Sequence, residues 1–597
     1  MQYKIKIRDG PSRYGELSID DKTVVTPNLL FVNTSRFKAP SFSDIILTND
    51  RHKQEKPSFQ IPTNFLYPKD LSKELHFSLM EKYKKTNENY FILPGNIDVI
   101  DTLIKNNSAM IFIVANANQL FQQTKNFLDF IVNLREKIGY EKLIYAPCIA
   151  EPANLALLSY IGIDFFDIYS AILAARNDIL LFANGKYNKN DLYELPCNCP
   201  TCDDYNGKAS DMNFQNILYH NYYTMLNEIK QVRNAIIRGD LRNLVEIRVK
   251  AYPNLIAIIR HLDKNYYDFL EKRTSITSKN NLLAISKESL YRPEIIRFQK
   301  RVIKHFKKPK STKILLILPC SAKKPYSFSK SHKLFKEKII DSGNPNIIHE
   351  IIVTSPIGIV PRELELIYPA SSYDIPVTGI WDEDEKKMIR TLLKEYISNN
   401  KYDKIIAHLP EELMEFIEDL LTNPVKTCID RPTSNKSLDN LSKKLKENVK
   451  NFKKVNLRDR LRENLQCLAS YQFGNDIGEK LLKNCIIKGK YPYQKFLQDN
   501  YQLGMITKER GLISLTLNGA KIVKENNKYW VEIYDDFILK GSLFAPGIKD
   551  ADKAIRVGDE VVVTKQNKLI AVGVAQMNGE EMKISSYGEA VKIRHRI

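Results

Sequence analysis

Hydrophobic positions in the first 275 residues follow two alternating patterns. Short apolar runs such as 109–114 and 142–146 have the length and composition of buried β-strands. Between such runs, residues 122–135 and 213–238 repeat apolar side chains at spacings of three and four, which predicts amphipathic helices. Strands and helices in alternation predict a parallel sheet of the α/β class.

The hydrophobic pattern changes after residue 275. Residues 275–312 are polar and basic and predict a connector, after which 313–318 predicts the first strand of a second α/β unit. Residues 452–515 predict a small α+β module. From about residue 516 onward, short apolar and polar alternations are separated by Gly, Pro and Asp, which predicts a compact β-barrel.

Composition narrows the class of protein. Hydrophobic residues make up 43% of the chain and charged residues 27%, a balance that predicts folded domains and excludes a largely disordered chain. Residues 1–8 alternate charged and apolar side chains, unlike a signal peptide, and no apolar stretch is long enough to span a bilayer. Eight cysteines in 597 residues are too few for a disulfide scaffold. We therefore expect a cytoplasmic, multidomain protein with no membrane attachment.

The net charge indicates the class of partner. Ninety Lys and Arg residues against seventy Asp and Glu residues give a formal net charge of +20. Such an excess favours a polyanionic partner, most often a nucleic acid, although a lysine-rich proteome produces the same excess. The basic runs at 297–313 and 443–454 are each typical of a solvated face or a linker rather than of a specific binding surface.

Three cysteines lie within six residues. Cys197, Cys199 and Cys202 are followed by His220 after 17 intervening residues. Three thiolates and one imidazole form a Cys3His set, which binds zinc tetrahedrally. Pro196 and Pro200 are expected to keep this loop from continuing as a helix, so that the sulfurs can converge. Because the protein fills all four positions, the expected zinc is structural; the alternative is a group of reactive or merely buried thiols.

The same segment resembles the zinc region of archaeal tRNA-guanine transglycosylases. The resemblance lies in residues 195–202, in His220 and Asn221 on a long predicted helix, and in residues 162–176 before them. It implies a (β/α)8 barrel of the TIM type. It also implies that Asp167 occupies the position of the catalytic nucleophile that attacks ribose. From the residues alone, an aspartate after two phenylalanines is more often a strand-end cap.

The resemblance to the transglycosylases is incomplete. That family carries an Asp-Ser-Gly-Gly-Phe-Gln loop that supplies a second catalytic aspartate, and nothing like it occurs between Tyr90 and Asp129. Asp98 and Asp101 lie there in an unrelated context. Base exchange requires both a nucleophile and an acid–base partner. The barrel is therefore expected to be degenerate, and an active transglycosylase that inserts the 7-deazaguanine base is the less favoured alternative.

A second candidate site follows the strand predicted at 313–318. A polar, proline-bounded loop at the carboxyl end of a central strand is where open α/β sheets bind ligands. The loop resembles the signature Pro-Cys-x3-Lys-Pro-Tyr-x2-Ser-x2-His of the archaeosine synthases, a diverged branch of the archaeal transglycosylases. All seven positions are present: Pro319, Cys320, Lys324, Pro325, Tyr326, Ser329 and His332.

This second resemblance implies a reaction on tRNA. The substrate would carry 7-cyano-7-deazaguanine at position 15 of the D-arm, and an amine would add to the nitrile to give an amidine. The donor is lysine, or nitrogen from glutamine or ammonia; the sequence leaves this open. A radical-SAM partner enzyme would complete the lysine route.

The catalytic roles follow from the needs of nitrile addition. A cation or proton donor must lie beside the nitrile nitrogen, which gains negative charge. Lys324 is predicted to supply the electrostatics, and His332 or Tyr326 the proton. Cys320 either attacks the nitrile covalently or only packs the loop. Ser329 completes the set of candidate catalytic residues, together with Asp167.

A second stretch of the same domain is expected to complete the pocket. Residues 354–363 follow a predicted strand and are rich in Gly and Pro. Ser355 and Gly358 are candidate substrate-binding residues. Arg362 and Glu363 are predicted to bind the carboxylate and the amine of an amino-acid donor, or else to pair with each other.

The end of the chain resembles a PUA module, a small RNA-binding barrel, in residues 540–547, 555–560 and 588–594. An OB- or SH3-like barrel is the alternative. The expected organisation is a transglycosylase-like degenerate (β/α)8 barrel with the zinc site at 1–275, an α/β catalytic domain at 290–432, a small α+β domain at 450–515 and a PUA domain at 516–597. The resemblance also implies a homodimer, and a non-enzymatic tRNA-binding protein is the remaining alternative.

Overall fold

The structure is a computed structural model that describes residues 1–48, 54–60, 89–95, 97, 100, 104, 108–205 and 207–597. The chain forms two compact units, one of residues 1–274 with 584–588 and the other of residues 275–583 with 589–597. Asp98 and Asp101 lie outside the described residues. The division into four domains predicted from the sequence stays a prediction.

The first unit is built on a seven-stranded sheet. A three-stranded antiparallel sheet precedes it, made of β1 Gln2–Asp9, β2 Ser12–Ile19 and β3 Lys22–Thr26. The strands of the large sheet are β4 Asn28–Asn33, β5 Ile45–Thr48, β6 Ser58–Gln60, β7 Tyr90–Pro94, β8 Ile111–Ala115, β9 Leu143–Tyr145 and β10 Phe165–Asp167.

The order of these strands is that of a barrel. The strands lie in the order β6-β5-β4-β10-β9-β8-β7, and their pairings are parallel. Because β10 lies beside β4, the last strand returns to the first, as in a (β/α)8 barrel. Among the described residues, the sheet is open between β6 and β7. The degenerate TIM-type barrel predicted from the sequence is therefore confirmed.

Amphipathic helices and one hairpin complete the first unit. In the second helix, Phe127, Leu128, Ile131 and Leu134 are buried at the predicted spacings of three and four. The helices are α1 Ala117–Phe121, α2 Thr124–Ile138, α3 Leu155–Tyr160, α4 Tyr169–Arg176, α5 Pro200–Asp203, α6 Phe214–Arg238, α7 Leu241–Arg248, α8 Pro253–Asn265 and α9 Tyr267–Glu271. The hairpin consists of β11 Ile179–Phe182 and β12 Gly185–Asn188.

The second unit contains a five-stranded sheet with the order β16-β15-β14-β18-β19. Its strands, with the short pair β13 and β17, are β13 Leu282–Leu283, β14 Ile314–Pro319, β15 Ile348–Thr354, β16 Gly358–Pro361, β17 Tyr373–Asp374, β18 Lys404–Ala407 and β19 Val425–Lys426. The edge strand β16 is antiparallel to β15, and the other pairings of this sheet are parallel. The helices of this region are α10 Pro293–Lys304, α11 Lys330–Ile340, α12 Glu383–Asn399, α13 Glu411–Met414 and α14 Asn435–Val449.

The prediction that residues 275–312 form a polar connector is wrong. Helix α10 lies within this segment, and Ile295, Phe298 and Val302 on it are buried in the core of the second unit. These apolar residues recur at spacings of three and four, which is the helical period. The basic residues between and after them give the segment the composition of a linker.

An α+β region and a β-barrel follow. The α+β region contains α15 Leu457–Phe473, α16 Asn475–Leu482, β20 Ile486–Lys490, β21 Tyr493–Gln498, β22 Tyr501–Ile506 and β23 Ile513–Leu515. The remaining elements are α17 Leu517–Glu525, β24 Trp530–Ile533, β25 Leu543–Phe544, β26 Ile548–Ala551, β27 Glu560–Lys565, β28 Lys568–Ala575, α18 Gly579–Ile584 and β29 Glu589–Arg596. The last six strands form one sheet, as predicted for the end of the chain. None of the helices that the structure describes has both the length and the hydropathy of a membrane span.

Candidate active site and metal centre

The three clustered cysteines and His220 converge on one point. Their ligand atoms all lie within 4.8 Å of one another. The Nδ1 atom of His220 lies 3.3 Å from the Sγ atom of Cys202 and 3.8 Å from that of Cys199. Four sulfur and nitrogen donors at this spacing fit a tetrahedral metal site. Because the protein supplies all four ligands, the cluster can hold a metal ion of a structural kind.

The backbone on both sides fixes the ligand geometry. Pro200 is the first residue of helix α5, which brings Cys202 beside Cys199. The expectation that Pro200 opposes a helix here is wrong, because proline is compatible with the first helical position, where its missing N–H has no partner to lose. On the other side, the Nε2 atom of His220 donates to the carbonyl oxygen of Leu181 at 3.2 Å, which leaves Nδ1 as the ligand atom.

Asp167 is the last residue of β10 and is fully buried, with 0% of its surface exposed. Its carboxylate accepts hydrogen bonds from the Tyr145 hydroxyl at 2.7 Å, the Cys148 N–H at 2.9 Å and the Tyr169 N–H at 3.0 Å. Burial raises the pKa of Asp167, although the three hydrogen bonds act to lower it. Both carboxylate oxygens are therefore occupied by groups of the barrel itself. The role of Asp167 as a nucleophile stays a prediction.

The loop at 319–332 begins where the strand β14 ends. β14 lies between β15 and β18, so the chain adds strands first on one side of β14 and then on the other. Ligands bind open α/β sheets at such reversals of strand order, at the carboxyl ends of the strands. Cys320 directly follows β14, and both Cys320 and Lys324 are half-buried, whereas Lys323 is exposed. The two half-buried groups are thus placed where this type of sheet binds ligands.

Lys324 lies against an aromatic ring. Its Nζ atom is 3.9 Å from the centroid of the Tyr373 ring, a cation–π contact. Desolvation lowers the pKa of Lys324, while the nearby Cys320 and Asp374 act to raise it. A lysine with a lowered pKa releases its proton more readily than an exposed one.

Tyr326 forms a buried chain of hydroxyl groups. Its oxygen lies 2.8 Å from that of Tyr373, and the Tyr373 hydroxyl also bonds to the Oγ1 atom of Thr354 at 2.5 Å. Burial raises the pKa of both tyrosines above the usual range, so both are neutral. The structure therefore places the loop against residues of β15 and β17. Tyr373 belongs to this chain of hydroxyl groups, and its ring also contacts Lys324.

Ser329 and His332 are buried at the start of helix α11. The Oγ atom of Ser329 accepts a hydrogen bond from the His332 N–H at 3.2 Å, which caps the helix. The Nδ1 atom of His332 accepts a hydrogen bond from Arg362 at 2.8 Å. Desolvation and the Arg362 charge lower the pKa of His332 to about 3, although the Pro319 carbonyl acts to raise it. His332 is therefore neutral near pH 7, with its proton on Nε2.

Arg362 joins two carboxylates beneath the loop. It donates to the Oε2 atom of Glu350 through Nε at 3.0 Å, and to the Oε2 atom of Glu365 through Nη1 at 2.9 Å. Although burial acts to lower it, these carboxylates hold the pKa of Arg362 above its usual value. Glu365 also accepts from the Ser327 N–H at 2.9 Å and from the Tyr491 hydroxyl at 2.6 Å. The loop is thus attached to the sheet and to the α+β region through Glu365.

Glu363 lies in a separate buried ion pair. Its Oε2 atom is 2.9 Å from the Nε2 atom of His349, and its Oε1 atom accepts from Arg460 at 3.1 Å. Although burial acts to raise it, His349 and Arg460 lower the pKa of Glu363 to about 2. Arg362 and Glu363 therefore pair with other residues rather than with each other. Their role in binding a donor stays a prediction.

Ser355 and Gly358 lie in different surroundings. Ser355, only 5% exposed, lines a cavity of about 220 Å³ together with Ser286, Ile375 and other residues. Among the described residues, its Oγ atom has no hydrogen-bond partner. Gly358 has φ +90°, and a Cβ atom there would lie 2.3 Å from the Cδ1 atom of Leu392. Gly358 therefore permits close packing beneath α12, and its role in substrate binding stays a prediction.

Sequence reasoning missed the groups that support the loop from below. Glu350 follows His349 inside an otherwise apolar strand, and a charged residue in such a strand is a signal that could have been used. Glu365 and Tyr491 have no such signal, because they are separated by 126 positions and meet only in the folded chain.

Known families match three parts of the chain. Residues 98–254 match the family described as "Queuine tRNA-ribosyltransferase", and residues 534–597 match the "PUA domain". Residues 295–445, which include the loop, match a "Domain of unknown function (DUF5591)". The first two matches confirm the transglycosylase-like and PUA modules predicted from the motifs.

Curated relatives extend the similarity to the whole chain. The archaeosine synthase of Haloferax volcanii is 33% identical over 99% of this chain and 99% of its own. The archaeosine synthase subunit alpha of Methanosarcina acetivorans is 36% identical over 81% of this chain and 79% of its own. The tRNA-guanine(15) transglycosylase of Methanothermobacter thermautotrophicus is 29% identical over 74% of this chain and 64% of its own.

Proposed function

The chain belongs to the archaeosine synthase family, and we propose that it adds an amine donor to the nitrile of 7-cyano-7-deazaguanine at position 15 of the tRNA D-arm. The product is an amidine. The enzyme acts on tRNA in the biosynthesis of archaeosine, in keeping with its transglycosylase-like and PUA modules.

One observation carries the proposal. Cys320 and Lys324 lie together, half-exposed, at the carboxyl end of β14. The buried side chains beneath them are hydrogen-bonded to neighbouring residues. A nucleophilic thiol and a desolvated ammonium group are the kinds of group that nitrile addition uses. Asp167, by contrast, is enclosed by its own hydrogen bonds. We therefore assign the reaction to the second unit.

The addition balances without an oxidant or a reductant. The lone pair of the donor nitrogen forms a bond to the nitrile carbon, one π bond of the nitrile breaks, and its electron pair moves to the nitrile nitrogen. That nitrogen gains a proton, and the donor nitrogen loses one. Lysine would give a substituted amidine and ammonia an unsubstituted one, whereas glutamine would first have to release ammonia.

Lys324 is the proposed acid of this reaction. Its ammonium group would donate a hydrogen bond to the nitrile nitrogen and then its proton. The neutral amine that remains would accept the proton that leaves the donor nitrogen, so Lys324 ends the cycle protonated. The lowered pKa of Lys324 supports both transfers.

Tyr326, Ser329 and His332 are proposed to position the loop. All three are buried, and the Tyr326 hydroxyl, the Ser329 hydroxyl and the Nδ1 atom of His332 are hydrogen-bonded to neighbouring residues. Among the described residues, the Nε2 atom of His332 has no hydrogen-bond partner, but it is buried. This assignment replaces a proton donor at Tyr326 or His332 by one at Lys324. Ser355 lines the cavity, and its Oγ atom has no hydrogen-bond partner among the described residues, which supports its predicted role in substrate binding.

Cys320 has two alternative roles. In the covalent route, its S–H adds across the nitrile to give a thioimidate; the donor nitrogen then attacks the carbon, the C–S bond breaks, and the thiolate regains a proton. In the direct route, the donor attacks the nitrile and Cys320 only packs the loop. Cys320→Ser separates these routes, because the covalent route predicts near-complete loss of activity and the direct route predicts little change.

The other modules have supporting roles. We propose that the Cys3His cluster holds zinc, since thiolate and imidazole ligands in a closed set of four favour that ion. The PUA domain would hold structured RNA through backbone and shape contacts. A radical-SAM partner enzyme and a homodimer belong to the same proposal.

Mass spectrometry of nucleosides tests the proposed function. Nitrile-bearing tRNA would be incubated with the enzyme and with lysine, glutamine or ammonium in turn. The expected product is an amidine nucleoside whose mass identifies the donor. Incorporation of free labelled 7-deazaguanine base would instead indicate a transglycosylase, and tRNA binding with an unaltered nitrile would indicate a non-enzymatic role.

A further inference from the structure

The α+β region presents an exposed basic sheet face. Strand β20 contributes Lys488 and Lys490, and strand β21 contributes Tyr493 and Lys495. All four are exposed, whereas the alternate residues Gln494 and Phe496 are buried. We call the four exposed residues the lysine face.

The register places like charges directly opposite each other. Lys488 pairs with Lys495, and Lys490 pairs with Tyr493. Like charges at opposed positions of two strands are destabilising. In the part of the chain that the structure describes, no carboxylate lies within 4.0 Å of Lys488, Lys490 or Lys495. One carboxylate lies beside the face, because Glu509 accepts from the Tyr493 hydroxyl at 2.6 Å. The three lysines themselves have no direct carboxylate partner among the described residues, so an anion could neutralise them.

Protection of the sheet edge does not account for this arrangement. Lysines on an edge strand discourage pairing with other chains, and β20 is the edge of its sheet. Lys495, however, lies on the inner strand β21, where edge protection requires no lysine. Its position opposite Lys488 instead makes a cluster of cations beside an exposed tyrosine ring, a combination typical of nucleic-acid binding surfaces.

The lysine face is connected to the proposed active site. The turn between β20 and β21 contains Tyr491, whose hydroxyl donates to Glu365 at 2.6 Å, and Glu365 accepts from the Ser327 N–H. Just beyond β22, the Nζ atom of Lys508 lies 4.8 Å from the centroid of the Phe328 ring. One end of the sheet thus contacts the loop that begins with Cys320.

We infer that the lysine face binds phosphates of the substrate tRNA and guides the RNA to Cys320 and Lys324. The inference rests on the proposed function in taking tRNA as the substrate. Lys488 and Lys490, two residues apart on one strand, are about 7 Å from each other along the chain and can contact separate phosphates. The ring of Tyr493, 50% exposed, offers a surface on which a base can stack.

Binding of an unmodified tRNA transcript tests this inference. Because the transcript has no nitrile, the result does not depend on whether the amidine reaction occurs. The test variant is Lys488→Ala, Lys490→Ala, Lys495→Ala. The control variant is Lys443→Ala, Lys446→Ala, Lys450→Ala, which removes three exposed lysines at and beside the end of α14. Both variants lose the same net charge.

We expect the test variant to bind at least about tenfold more weakly, and its log–log salt slope to be less steep by about 2–3, since each phosphate contact contributes about 0.7–0.9. The control variant should bind like the unaltered protein, and replacing the same three lysines of the face by arginine should restore binding. The inference is overturned by an unchanged salt slope, by an equal loss in the control, or by no restoration with arginine. Thermal unfolding of all variants would identify any loss of folding.

Discussion

Two strands of this protein lead to candidate catalytic residues: β10 ends at Asp167, and Cys320 directly follows β14. Both positions are carboxyl ends of parallel strands, where α/β proteins place their active sites. Asp167 is fully buried and accepts three hydrogen bonds from its own barrel. Cys320 and Lys324 are half-exposed, and the residues beneath them hold the hydrogen bonds.

This difference shows why position in a fold is a weak guide to chemistry. At β10 the local hydrogen bonds satisfy the polar group itself. At the end of β14 the local hydrogen bonds are made by the residues around Cys320 and Lys324. The thiol and the amine are therefore available for reaction. A buried acceptor with three donors is a stable arrangement whether or not it once took part in catalysis. Substitutions at each strand end test whether the chemistry takes place at Cys320 and Lys324 or at Asp167.

The largest effect is expected from Lys324→Ala. Loss of a positioned acid should lower the rate of amidine formation about 10²–10⁴-fold, because Lys324 is the group proposed to protonate the nitrile nitrogen. Single-turnover assays with nucleoside mass spectrometry would measure it. Lys323→Ala is the matched control, since it removes an exposed lysine next to Lys324 and should leave the rate almost unchanged. Full activity in Lys324→Ala would contradict the assignment.

The next largest effect is expected at the Cys3His cluster of the first unit, which lies outside the proposed active site. The combined change Cys199→Ser and His220→Ala should abolish bound zinc and destabilise the first unit by several kcal/mol, because binding energy at such a site contributes to folding. Metal analysis and thermal unfolding would measure both. Cys428→Ser, a half-buried thiol outside the cluster, should change neither. Stoichiometric zinc in the double variant would show that the metal is held elsewhere.

A smaller effect concerns the pH dependence of stability. Because the pKa of His332 is about 3 in the folded protein and near 6.5 when unfolded, the unfolded chain binds the extra proton. Stability should therefore fall as the pH drops from about 6.5 towards 3, by up to about 1.4 kcal/mol per pH unit for this group.

The variant His332→Asn tests whether protonation of His332 causes this loss of stability at low pH. The asparagine oxygen can accept the hydrogen bond from Arg362 but cannot titrate, so the slope below pH 6.5 should be shallower than in the unaltered protein. Urea unfolding at several pH values would measure it. A residual slope is expected from His408, whose pKa burial lowers to about 4. An unchanged slope would mean that His332 contributes nothing to acid sensitivity.

The smallest effect on activity is expected from Asp167→Asn. Addition to a nitrile breaks no glycosidic bond, so the rate should stay within about threefold of the unaltered enzyme. The free energy of unfolding should fall by about 1–3 kcal/mol, because the new amide N–H would face a hydrogen-bond donor. The carboxylate oxygen that it replaces accepts a hydrogen bond from that donor. Loss of activity in Asp167→Asn with an active Lys324→Ala would return the chemistry to the barrel.

The sequence predicted the features that are local in the chain. The strand before Cys320, the cluster of four candidate metal ligands and the helix that carries His220 each depend on neighbouring residues, and the structure contains all of them. Helix α10 was missed, because its lysines and arginines hide an apolar stripe of correct period.

The partners of the site residues were not predictable in the same way. Arg362 contacts Glu365 at the helical spacing of three, but it contacts His332 and Glu350 through the fold of the second unit, and no spacing rule relates those positions. The alternative in which Arg362 and Glu363 pair with each other is wrong, because these neighbours in a short helical turn contact different partners. Long-range register decides such contacts, and it is visible only in the folded chain.

The buried ion pair of Glu363 sets a minimum size for an excised fragment that contains the loop at 319–332. The family match over 295–445 suggests residues 295 and 445 as the ends of such a fragment. A fragment cut at 445 would lose Arg460, which leaves the Glu363 carboxylate buried beside His349 alone, and would lose Tyr491, which bonds to Glu365. An unpaired buried charge is strongly destabilising. Any dissection of this enzyme that preserves the loop therefore has to carry the chain past β20 and β21.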